Sequence, residues 1–64
     1  MNTKLAEDLV KQWWEKAQQL RVLRSVKAEG TAMGFATCAY KLAIEAGVPP
    51  PPKLEDFLKR QGVL

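Results

Sequence analysis

The stretch TAMGFATCAYKLAIEAGVPPPP, residues 31–52, decides the fold. Wound as a helix, it places Ala32, Ala36, Ala39, Ala43 and Ala46 on one face, with Phe35 and Leu42 on one flank and Met33, Tyr40 and Ile44 on the other. Only Thr37, Lys41 and Glu45, with Gly34, make a polar stripe. A helix this apolar around its circumference is a buried helix. Its alanine face lets another helix backbone come close, because little side chain holds the two apart. Thr31 can cap its start. Gly47 stands where a left-handed residue closes a helix, and the prolines that follow forbid continuation. The stretch therefore predicts a helix over residues 31–46, then polyproline II over residues 49–52, about 12 Å long at ~3.1 Å per residue.

Towards the N-terminus, residues 3–28 read as a long helix capped by Asn2 or Thr3, with Glu7 and Asp8 near the first turn, where the helix dipole favours acids. Leu5, Leu9, Trp13, Ala17 and Leu20 recur at helical spacing, which puts Trp13 in the apolar stripe and Trp14 to one side of it. The stripe loses its phase around residues 22–31, and this favours a turn at Gly30. A helix running on through Gly30 stays open, since glycine inside a helix costs only about 1 kcal/mol relative to alanine. Towards the C-terminus, residues 53–61 read as a short helix with Leu54, Phe57 and Leu58 on one face and Gly62 as its stop. It is too short to stand alone and needs a surface to dock on, in its own subunit or a neighbour's.

The expected class is all-α: a helical hairpin over residues 1–48, a polyproline linker over 49–52 and a helical arm over 53–64. One neighbour covers only one side of the alanine-faced helix. The expectation is therefore a homodimer, two hairpins forming a four-helix bundle through Phe35, Ala36, Ala39, Tyr40 and Ala43. Size points the same way. A chain of 64 residues buries only about 60% of its unfolded surface, and small folds usually need a staple. Cys38 is the one cysteine and there is no histidine, so neither a disulfide nor a zinc site can supply it.

The same inventory bounds function. With no histidine, no Cys–His pair, no metal-ligand cluster and no phosphate-cradling glycine loop, the chain is expected to be non-enzymatic, without cofactor or metal. Cys38, among apolar neighbours, reads as a buried structural cysteine, and an unpaired thiol suits a reducing cytoplasm. Residues 1–10 carry Glu7 and Asp8 and lack the basic-then-apolar layout of a signal peptide. The longest charge-free run, residues 30–40, is far short of the roughly 20 apolar residues of a membrane span. The formal charge of +3 permits nucleic-acid binding without demanding it.

Lys16, Arg21, Arg24 and Lys27 form an acid-free basic run. Ala43, Gly47 and Val48, followed by Leu54 and Phe57, resemble the core of a DNA-binding helix-turn-helix. Here the prolines lengthen the turn by about one residue and occupy the place where polar residues would read base edges. A glycine-capped helix with a proline stop accounts for the same letters. The function expected is that of a small regulatory or inhibitory protein, similar in size and texture to phage or mobile-element accessory proteins. It would bind a protein partner through Trp14, Arg21, Val22, Arg24, Val26, Leu54, Phe57 and Leu58. The alternative is a small dimeric DNA-binding regulator, with the basic run on phosphates.

Overall fold

A computed structural model of the chain describes residues 3–64. The Asn2 cap lies outside the described residues. Three helices make up the fold: α1 (Thr3–Val22), α2 (Val26–Ala46) and α3 (Pro52–Arg60). The body measures 35 × 20 × 15 Å.

The chain turns at residues 23–25, not at Gly30. The N–H groups of Leu23 and Arg24 donate to the carbonyls of Leu20 and Arg21, each at 3.2 Å, tightening the end of α1. Arg24 then takes a left-handed conformation, φ 52°. Ser25 is extended and caps α2, its Oγ accepting from the Ala28 N–H at 3.0 Å. Glu29 lies in the first turn, where it complements the dipole. Gly30 sits inside α2, and a Cβ built on it meets no atom within 4 Å. Thr31 is no cap: its hydroxyl donates back to the Lys27 carbonyl at 3.1 Å. Starting α2 at Val26 brings Ala28 into the alanine stripe, which then runs unbroken through Ala32, Ala36, Ala39 and Ala43.

At the other end the expected stop holds. Gly47 is left-handed, φ 72°, and the N–H groups of Gly47 and Val48 donate to the carbonyls of Ile44 (3.2 Å) and Ala43 (2.8 Å). This is the paired bonding of a Schellman close, and Val48 is buried beneath it. The linker is one proline shorter than expected. Pro51 is extended, but Pro52 is the first residue of α3, where its missing N–H costs nothing.

The alanine face packs inside the single chain. Ala32, Ala36, Ala39 and Ala43 have no exposed surface, and they cluster with Val10, Trp14 and Ala17 of α1 and with Leu54, Phe57 and Leu58 of α3. The antiparallel α1–α2 hairpin is the main contact. α3 lies along one side of it. The Phe57 ring meets Trp14 at 5.7 Å between centroids, tilted by 45°, and the Arg21 guanidinium lies 4.5 Å over the Phe57 centroid. Such contacts add about 0.5–1.5 kcal/mol (ring pair) and about 0.5–1 kcal/mol (exposed cation–π) to the area buried. The two tryptophans thus exchange their expected roles. Trp14 is buried, and Trp13 is only partly covered on the opposite flank.

Candidate functional site

The hairpin turn projects three aliphatic side chains into solvent: Val22 (77% exposed), Leu23 (67%) and Val26 (90%). Arg21, Arg24 and Lys27 stand among them, also exposed. Leaving three aliphatics in water forgoes about 1.5–3 kcal/mol each relative to full burial. Arg24 holds a left-handed backbone where glycine would cost less. The tip is therefore poorly suited to stability and well suited to contact: an apolar knob with Arg21, Arg24 and Lys27 about it and the single acid Glu29 beside Val26.

Arg21 connects this tip to the rest of the end. It lines a cavity of about 660 Å³ at the turn with Val22, Arg24 and Val26. It also lines one of about 230 Å³ with Val26, Met33, Phe57 and Gln61, and one of about 380 Å³ between α1 and α3 with Lys53 and Arg60. α3 delivers its C-terminal end beside the turn, so Arg60 joins the same basic quarter.

A second unusual surface lies on the flank of the hairpin away from α3. Leu5, Leu9, Trp13 and Leu20 follow one another there at helical spacing on α1, matched by Phe35 and Leu42 on α2. Trp13, Leu20, Phe35 and Leu42 rest against the core yet stay partly exposed, and Leu5 is 57% exposed. A shallow, almost wholly apolar cavity of about 360 Å³ opens between Trp13, Gly34, Phe35 and Cys38. Cys38 is exposed there, contrary to the expected buried thiol. α2 has a second apolar flank, and α3 covers only the Met33 side.

The residues expected to bind a partner divide sharply. Arg21, Val22, Arg24 and Val26 come together at the tip. Trp14, Leu54, Phe57 and Leu58 are in the chain's own core: Leu54 and Leu58 are fully covered, and Trp14 and Phe57 keep only a small ring edge at the α1–α3 groove. The dimer contact expected on α2 divides too: Ala36, Ala39 and Ala43 are buried by α1 and α3, while Phe35 and Tyr40 stay partly exposed on opposite flanks. Reading α2 as covered on one side only overlooks α3, whose three large apolar residues fill the second side. Leu23 is not among the expected contacts: helical spacing keeps it on the edge of the apolar stripe, in phase with Leu5, and only the turn at residues 23–25 leaves it exposed. Lys53 and Arg60 are not among the expected contacts either, and nothing in their spacing along the chain sets them apart from other helix-end charges.

Among the described residues, no group of three metal-ligating side chains is gathered, and no helix is long and apolar enough to cross a membrane. Comparison with protein families, curated proteins and solved structures returned no match.

Proposed function

We propose that this chain is a small non-enzymatic regulatory or inhibitory protein that acts by binding another protein through the hairpin tip. The carrying observation is the exposed Val22–Leu23–Val26 knob set among Arg21, Arg24 and Lys27. Interfaces that form and part reversibly combine apolar anchors with a charged rim. The fit is to an acidic surface with an apolar recess. An exposed lone thiol at Cys38 suits the reducing cytoplasm.

Homodimerisation into a four-helix bundle belongs to the same proposal, with the interface moved to the open hairpin flank. That flank is roughly 30 Å long and 20 Å wide from helix rise and packing distance, a projected 600 Å² or so, near the ~800 Å² per partner of a standard interface. Trp13 and Phe35 line one cavity near the middle of their helices, where a two-fold contact would centre. The tips stay free at the ends.

The test is a photo-reactive amino acid at Val26, with Ile44, also exposed, as the control position. The expected result is a discrete protein adduct from Val26 and none from Ile44, abolished by V22D. Equal labelling from both positions, or none from Val26, would sink the tip as a contact surface. The second reading, DNA binding, draws on Arg21, Arg24 and Lys27 sharing one end. It requires duplex binding that V26D leaves alone. It also requires R21E and R24E to lower the salt slope by about 0.9 for each phosphate they release.

A further inference from the structure

The groove between α1 and α3 gathers more positive charge than the fold uses. Arg21 lies on one wall, and Lys53 and Arg60 lie on the other, with the buried Trp14 and Phe57 rings as the floor. None of the three cations forms an ion pair among the described residues; Lys59, on the far side of α3, pairs with Glu55 at 3.6 Å. The guanidinium of Arg21 is held over Phe57, which orients its N–H fork without satisfying it. Gln18 adds an amide, and Asp56, between Lys53 and Arg60 on the same side of α3, is the one acid of the lining, leaving two cations in excess.

We propose that this groove seats an acidic helical segment of the partner protein, its carboxylates on Arg21, Lys53 and Arg60. This deepens the protein-binding reading above and rests on it. Lys53 and Arg60 are two turns apart on one side of α3, about 10 Å at ~1.5 Å per residue. A helix lying along α3 repeats at the same rise, so carboxylates seven residues apart face both cations, and one midway faces Arg21. Apolar residues at the end of that segment reach Val22 and Val26, because Arg21 borders both the groove and the tip. A nucleic-acid backbone fits less well, since it would bring phosphates and water against the same aliphatic knob.

The experiment measures fluorescence anisotropy of two synthetic helical peptides, one with glutamates at seven-residue spacing and one with glutamines in their place, and of a short DNA duplex. The expected result is binding of the glutamate peptide alone, weakened about two- to fivefold each by K53Q and R60Q, as exposed charge pairs allow. K16Q and K41Q, which remove cations on other faces, should leave it unchanged. K53Q and R60Q are the primary variants because neither side chain is part of the core, whereas R21Q also disturbs the docking of α3. Three results overturn the assignment: no preference for glutamate, equal weakening by K16Q and K41Q, or tighter duplex binding that K53Q and R60Q abolish. If the Val26 adduct still forms in K53Q/R60Q at the wild-type level, the tip reading stands and the groove is not part of it. If the peptide binds as expected while Val26 labels nothing, the groove stands and the tip reading falls.

Discussion

At the scale of single residues, Arg24 is the most telling position. Its φ of 52° is the turn's one left-handed non-glycine conformation, and it is exposed in the turn between α1 and α2. A left-handed L-residue costs roughly 1–2 kcal/mol, against roughly 0.5–1 kcal/mol for the extra flexibility of glycine when unfolded. R24G should therefore stabilise the fold by about 0.5–1 kcal/mol, raising Tm by about 4 °C in a domain of this size, as read by thermal circular dichroism. The same variant should weaken partner capture at the tip. Gained stability with undiminished capture would show that the arginine serves neither purpose. Gly30 makes the complementary point: it looks like punctuation in the sequence, yet it stands mid-helix with open space where a Cβ would go.

Among the elements, α3 holds the arrangement together out of proportion to its nine residues. Alone it would not form, because nucleation of so short a helix is unfavourable. Leu54, Phe57 and Leu58 anchor it on the hairpin, with Pro52 presetting its first turn and Glu55, Lys59 and Arg60 arranged with the dipole. Phe57 touches both Trp14 and Arg21, so it couples the core to the basic end. F57A should cost about 3–5 kcal/mol, a large part of the total stability of a chain this short. Denaturant unfolding should show it, together with increased exposure in Trp14 fluorescence. F57L keeps most of the apolar volume and should cost far less while giving up the cation–π interaction. Similar costs in the two variants would mean that ring stacking, and not volume, docks α3.

For the whole molecule, the question is what covers the open flank. The hairpin is sealed by α3 on one side only, and the other side leaves Leu5, Trp13, Phe35 and Cys38 in contact with water. A dimeric mass in solution at micromolar concentration is expected by light scattering, and F35D should convert it to a monomer that stays folded at reduced stability, since Phe35 packs against the core but is only partly buried. Alkylation of Cys38 should slow as protein concentration rises through the dimer range, because the thiol lies inside the proposed contact. A monomer at all concentrations, with Cys38 reacting at one constant rate, would remove the bundle from the proposal while leaving the tip and the groove untouched.

Much of the architecture is legible along the chain because local chemistry dictates it. Gly47 and the prolines set the end of α2, the spacing of Leu54, Phe57 and Leu58 marks the buried face of α3, and the alanine stripe marks the one face of α2 that is buried, although the apolar residues around the rest of its circumference read as if the whole helix were. Ser25 with Glu29 behind it carries the true start of α2 but is outweighed by the more conspicuous Gly30. Only tertiary structure could decide which neighbour buries the alanines. Periodicity shows that a face must be covered but not by what, and here α1 and α3 do it within one chain. The same limit governs the candidate site. That Arg21, Lys53 and Arg60 border one groove depends on where α3 docks, a choice made by the packing of Phe57 on Trp14, and no spacing along the sequence brings residue 21 to residue 60.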